Sequence, residues 1–184
     1  MRLAEVNAGG GMTVDCARPE RRFDRAAYGA GPARPTEAHP GLTPRMEPGR
    51  ALTGYCGWYV TEVLEVKESH GEDSRWSGGG THHLRTPATR ATTSRAPCRR
   101  WRTGRTPWPR PAARGGEVTL AGRLCTPKDT LARRAPAPGL RAGDRVAFSP
   151  AGAYAWNISH HDFLMHPRPG FRFLDEALGE TGEG

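Results

Sequence analysis

The chain has 184 residues with 27 Lys and Arg against 19 Asp and Glu, a formal net charge of +8 and a pI near 10, a length that fits one or two domains. No apolar run approaches the roughly 20 residues needed to cross a bilayer, and the first residues lack the apolar core of a signal peptide. Cys16, Cys56, Cys98 and Cys125 are widely spaced with no CxxC and no regular framework, so a reduced cytoplasmic setting is the simplest reading and no metal site is assigned.

Residues 1–14 read as a strand end entering a triple-glycine turn, Gly9-Gly10-Gly11, where the backbone can approach a ligand and its N–H groups can form an anion-binding nest. Pro19 followed by Phe23, Ala26 and Ala27 predicts a short helix within 17–29, and the prolines of 30–44 predict a connector. Glu47-Pro48-Gly49-Arg50 is a conformationally fixed turn that holds two opposite charges as a pair. Residues 57–67, GWYVTEVLEVK, predict a strand with Trp58, Val60, Leu64 and Val66 on one face and Glu62 as the exception. A second Gly-rich turn, Gly78-Gly79-Gly80, leads into His82, His83 and Arg85. Read as strand residues, His82 and His83 face opposite sides, as do His160 and His161, which argues against chelation by either pair.

The charge has one address. Residues 85–114 contain nine arginines, no lysine and no acid; without those nine, 18 basic residues face 19 acidic ones. Lacking any apolar period, residues 88–114 read as a disordered basic insert. Two sharper readings remain open: a nucleic-acid contact using residues 85–114, with Trp101 and Trp108 among the arginines, or a frameshifted stretch over about 90–106, since GC-rich codons read out of frame yield an excess of Arg, Ala, Thr and Pro.

From Glu117 to Asp175 the pattern is orderly again. Val118 and Leu120 alternate with Glu117 and Thr119 as in a half-buried strand. The loop Leu124-Cys125-Thr126-Pro127-Lys128-Asp129 follows, then a polar turn at 140–144, a strand over 145–148, and Gly152-Ala153-Tyr154.

In this order, Gly9-Gly10-Gly11, Glu47-Pro48-Gly49-Arg50, the Cys125 loop with Asp129, and Gly152-Ala153-Tyr154 resemble the fold-type III pyridoxal-phosphate (PLP) decarboxylases, the diaminopimelate, ornithine and arginine decarboxylase group. LCTPKD and AWNISHHDFLMHP are similar to a branch acting on unusual diamino or siderophore-precursor substrates. The resemblance implies an α/β architecture over 1–56, the C-terminal end of an incomplete (β/α)8 barrel. It implies a mainly β domain of sandwich or barrel type over 57–175, and a flexible tail over 176–184. It also implies that Gly9, Gly10, Gly11, Arg50 and Tyr154 hold the cofactor phosphate, that Gly49 belongs to the cofactor site, and that Glu47 pairs with the pyridine nitrogen. Arg85 and Asp129 would bind an amino-acid substrate, and Cys125 would act after CO2 loss across the interface of a homodimer with shared active sites.

Two departures qualify this. Where relatives place an acid directly after the cysteine to hold a distal amine, this chain has Thr126, which argues against plain diaminopimelate or ornithine. The family attaches its cofactor to a lysine upstream of the triple glycine, whereas the only lysines here are Lys67 and Lys128, so the chain is expected to be inactive alone. The alternative is a non-catalytic nucleic-acid-binding protein.

Overall fold

The first two strands are too short to need much sequence support, and their pairing dictates what lies between them. A computed structural model of the chain describes residues 3–16, 18–69, 72–85, 98–102, 110–112 and 116–174. Within it β1 (Glu5–Asn7) and β2 (Thr43–Arg45) pair in parallel, Glu5 opposite Thr43 and Asn7 opposite Arg45. Parallel neighbours cannot be joined by a hairpin, and the connection is helix α1 (Arg25–Ala38). This β-α-β step is followed by the single turn α2 (Arg50–Thr53).

The helix begins later than its residues predict and runs on through Pro32 and Pro35. Asp24 sets its start. The Asp24 carboxylate accepts the Ala27 N–H at 2.9 Å and the Asp24 carbonyl accepts the Tyr28 N–H at 3.2 Å, the arrangement of an N-cap.

The remaining strands are β3 (Tyr59–Ser69), β4 (Glu72–Ser77), β5 (Cys98–Arg102), β6 (Glu117–Ala121), β7 (Thr130–Pro136) and β8 (Arg145–Phe148). They form one six-stranded sheet in the order β5-β8-β3-β4-β6-β7, antiparallel except where β4 and β6 run parallel. The long β3 pairs its first half with β8 and its second half with β4. The sheet curls around this strand: Val146 and Phe148 of β8 join Leu120 of β6 and Leu131 of β7 in one buried cluster with Val63, Val118 and Leu140, and the two edge strands β5 and β7 come into contact. Burying each of the larger aliphatic side chains contributes about 1.5–3 kcal/mol. The alternation read in β6 holds, with Val118 and Leu120 inside.

The face of β3 is the reverse of the expected one. Thr61 and Val63 point inward, while Trp58, Val60 and Leu64 are exposed along with Glu62. A bulge between Val63 and Glu65 then shifts the parity, which is how Val66 comes to be half-buried although it stands an even number of residues from Trp58.

The basic segment also differs from its reading as a disordered insert. Cys98–Arg102 is an edge strand, antiparallel to β8, with Cys98 opposite Phe148 and Arg100 opposite Val146. Beyond it, Arg110 donates to the Ala142 carbonyl at 2.6 Å and pairs with the fully buried Asp144. The other residues of 88–114, including Trp101's side chain, Trp108 and most of the stretch read as frameshifted, lie outside the described residues, as does the 176–184 tail.

Candidate active site

The triple glycine and the Glu-Pro-Gly-Arg turn meet because β1 and β2 are neighbours. Each strand ends at the same side of the pair, and the two turns that follow are stitched together: Ala8 donates to the Arg45 carbonyl at 2.9 Å and Glu47 donates to the Gly9 carbonyl at 2.9 Å. Gly9 and Gly11 have φ of +72° and +88°, the left-handed region glycine enters without strain. Gly10 is required for a different reason: a Cβ there would lie 2.5 Å from the Glu47 carbonyl oxygen.

Glu47 and Arg50 do not form the charge pair expected of the turn. The Glu47 carboxylate accepts the Asn7 side-chain amide at 2.7 Å, and Asn7 in turn accepts the Gly9 N–H at 2.8 Å. Arg50 lies over the Tyr154 ring, 5.3 Å from its centroid, a cation–π arrangement. Tyr154 itself has φ +60°. Its hydroxyl occupies the space above Gly49, where a Cβ would be 2.7 Å away. The Gly152-Ala153 step is docked against α2 by hydrogen bonds from Gly152 to Gly54 and from Ala153 to Thr53, both 3.2 Å. A Cβ on Gly152 would meet the Thr53 carbonyl. Beside Arg50, burial raises the Cys16 thiol pKa while the Arg50 charge opposes the rise.

Gly9, Gly10, Gly11, Glu47, Gly49, Arg50 and Tyr154 are therefore gathered at the junction of the β-α-β unit and the sheet. The set suits a phosphorylated ligand. The space around Gly9 and Gly11 is open for 4 Å where side chains would stand. A guanidinium and a phenol hydroxyl offer further donors.

Arg85 adjoins this junction. Its backbone N–H donates to the Ala155 carbonyl at 3.2 Å and its guanidinium donates to the Ile158 carbonyl at 3.3 Å. The turn before it is crowded. Tyr59 pairs its hydroxyl with His83 Nδ1 at 3.0 Å, and burial pushes the Tyr59 pKa up to about 12. His82 and His83 lie in this turn and not in a strand, with ring centroids 4.0 Å apart. His82 is fully buried with neither ring nitrogen hydrogen-bonded. Burial first, then the neighbouring histidine, lowers its pKa to about 4. Among the described residues no group of three or more His, Cys, Asp or Glu could hold a metal ion.

Cys125 is exposed with a free thiol on the loop after β6. Asp129, expected to bind substrate, is placed otherwise. It is 2 % exposed, and its two oxygens accept the Thr81 N–H at 2.6 Å and the Leu124 N–H at 2.7 Å. Both carboxylate oxygens are thus engaged by the protein's own backbone. Sequence reasoning passed over Asn7, although a short polar side chain two residues before a positive-φ glycine is a known turn signal, and over Tyr59, which only its burial distinguishes.

Residues 16–152 match the family described as pyridoxal-dependent decarboxylase, C-terminal sheet domain. The chain is similar to the 2-[(L-alanin-3-ylcarbamoyl)methyl]-2-hydroxybutanedioate decarboxylase of Staphylococcus aureus, 34 % identical over 95 % of this chain and 44 % of that protein. It is also similar to the L-glutamyl-[BtrI acyl-carrier protein] decarboxylase of Niallia circulans, 34 % identical over 89 % of this chain and 39 % of that one. The chain thus spans less than half the length of these curated relatives. Among solved structures, diaminopimelate decarboxylase from Helicobacter pylori superposes with a TM-score of 0.65 at 22 % identity over 85 % of this chain and 36 % of that chain. The M. jannaschii diaminopimelate decarboxylase does so with a TM-score of 0.70 at 19 % identity over 92 % and 37 %, a likeness of fold. No helix among the described residues is long and apolar enough to cross a membrane. With its sheet domain matched over most of its length, the chain belongs to the pyridoxal-dependent decarboxylase family.

Proposed function

We propose that this chain is the C-terminal portion of a PLP-dependent amino-acid decarboxylase, an enzyme that removes an α-carboxylate as CO2. The observation that carries the proposal is the convergence of Gly9–Gly11, Glu47, Gly49, Arg50 and Tyr154 from three separate stretches of sequence onto one junction. PLP, when bound, supplies the electron sink for the pair left by departing CO2. In this reading the Gly10 and Gly11 backbone, the Arg50 guanidinium and the Tyr154 hydroxyl bind the phosphate. The Glu47 carboxylate, steadied by Asn7 at 2.7 Å, holds a proton at the pyridine nitrogen. Arg85 orients the substrate carboxylate from the rim. Cys125, exposed on its loop, acts on the substrate carbon in the site of a second subunit, which makes the working enzyme a homodimer with shared active sites.

Thr126 in place of an acid after Cys125 disfavours a substrate with a distal amine. The similarity to the Staphylococcus aureus enzyme, whose named substrate carries carboxylates and a hydroxyl on its distal arm, supports a siderophore-precursor type of substrate. Arg110, one of the arginines of the basic segment, is committed to the Ala142 carbonyl and to buried Asp144, which weighs against the nucleic-acid reading. Lys67 belongs to β3 and Lys128 to the cysteine loop, neither among the elements that build the junction, so decarboxylation by this chain alone is not expected.

The test is a titration of the purified chain with PLP, followed by tryptophan fluorescence and absorbance. Weak, reversible binding that is lost in Arg50→Ala is expected. Equal binding by the native chain and by Arg50→Ala would overturn the assignment.

A further inference from the structure

The cysteine loop and the turn that leads to Arg85 are far apart in sequence and come from different strands, yet they are joined at one side chain. We infer that Asp129 is a positioning residue: its buried carboxylate clasps the Cys125 loop to the Gly80-Thr81 turn, so that Cys125 and the segment carrying Arg85 are presented as one rigid unit. The proposal rests on the reading of Cys125 and Arg85 as functional groups, and it replaces substrate binding as the role of Asp129.

Four observations carry it. Oδ1 accepts the Thr81 N–H at 2.6 Å and Oδ2 accepts the Leu124 N–H at 2.7 Å, so each oxygen holds one of the two segments. Hydrogen bonds to a charged acceptor are short and strong. The backbone of Asp129 closes the loop on itself, accepting from Gly122 at 2.8 Å and donating to Thr126 at 3.0 Å. The seat is shaped for the carboxylate: a Cβ on Gly80 would be 2.6 Å from Oδ2 and a Cβ on Gly122 2.1 Å from it. Both glycines are thereby explained by room for one side chain, and neither has the positive φ that would explain it otherwise. Secondary ties run alongside, with Arg123 donating from its backbone to the Gly79 carbonyl at 3.2 Å and Ser77 donating to the Ala121 carbonyl at 3.2 Å.

From the clasped turn, the chain passes through buried Thr81, His82 and Leu84 to Arg85, whose N–H meets Ala155, the residue after Tyr154. A displacement at Asp129 is thus transmitted to Cys125 in one direction and towards Arg85 and Tyr154 in the other. The cofactor is not needed for the clasp to exist, so it can be tested without it.

The experiment uses the full chain and its Asp129→Ala and Asp129→Asn variants. Amide hydrogen exchange at Thr81 and Leu124 is measured together with the rate of Cys125 alkylation by iodoacetamide, with exposed Cys56 as internal control. In the native chain both amides are expected to be protected. In Asp129→Ala both exchange about tenfold faster or more, and Cys125 alkylation accelerates while that of Cys56 holds steady. Asp129→Asn, which keeps one acceptor oxygen and turns an NH2 towards the other donor, should protect only one of the two amides; it serves if the alanine variant does not fold. Unprotected amides in the native chain, full protection of both in Asp129→Asn, or an unchanged Cys125 rate in Asp129→Ala would overturn the inference. Failure of the PLP titration leaves these outcomes untouched, so the clasp and the cofactor assignment fail separately.

Discussion

The Arg50 guanidinium rests over the Tyr154 ring at 5.3 Å, and the Tyr154 hydroxyl fills the place where any side chain on Gly49 would begin. Two groups that touch only through the fold are thereby locked to one another. Gly49→Ala should push the ring away, since its Cβ would meet three atoms of Tyr154 at 2.7–3.1 Å. PLP affinity is expected to fall about tenfold, a cost of about 1.4 kcal/mol, in a fluorescence titration. Tyr154→Phe keeps the ring and removes one donor, and should weaken binding by about 1 kcal/mol.

The pair between Arg110 and Asp144 is the most enclosed ion pair described, with the Asp144 side chain fully buried and the Arg110 side chain 12 % exposed. Asp144 also accepts the Arg141 N–H at 3.0 Å. Arg110→Ala would remove a guanidinium from that buried carboxylate and should destabilise the fold by about 1–3 kcal/mol. Urea unfolding checks this, and a loss under about 1 kcal/mol would show the pair to be dispensable, as exposed pairs are.

Leu120 is fully buried at the centre of the sheet core, in the same cluster as Val63, Leu131 and Phe148. Leu120→Ala removes apolar contact and leaves a cavity, with an expected cost of about 2–5 kcal/mol in the same unfolding measurement. Leu64→Ala, on the exposed face of β3, is expected to change stability by no more than about 0.5 kcal/mol.

Burial of His82 makes stability depend on pH. Its folded-state pKa is about 4 against an ordinary 6.5, so between those values the unfolded chain binds the extra proton. Stability contributed by the neutral ring is complete above about pH 6.5 and is lost as pH falls towards 4. His83, lowered chiefly by burial as well, acts in the same direction. The groups facing His82 are His83, His166, His160 and Asp129, of which only Asp129 favours the protonated ring. Thermal unfolding between pH 7 and pH 4.5 should show the decline, and His82→Phe should flatten it.

What the sequence disclosed was local or carried by motif. The period of Val118 and Leu120 marked β6, and the glycine, Glu-Pro-Gly-Arg and Gly-Ala-Tyr motifs marked residues that the fold does bring together. What it concealed depends on distant partners. The inward face of β3 follows from its pairing with β8 and from a bulge against β4, neither visible in its own alternation. The burial of Asp129 left no local signal because one of its partners, the Thr81 N–H, is 48 residues away. Helix α1 was set too early because proline at 19 was weighed above Asp24, whose capping role depends on the turn that follows it.

The order β5-β8-β3-β4-β6-β7 has one more consequence. Cut the thread anywhere between Arg102 and Gly116 and the two pieces are interleaved: β8 from the second piece lies between β5 and β3 of the first, and β4 of the first lies against β6 of the second. A nick there releases neither piece. A protease that cleaves the basic segment should give two bands on a denaturing gel and one species in solution.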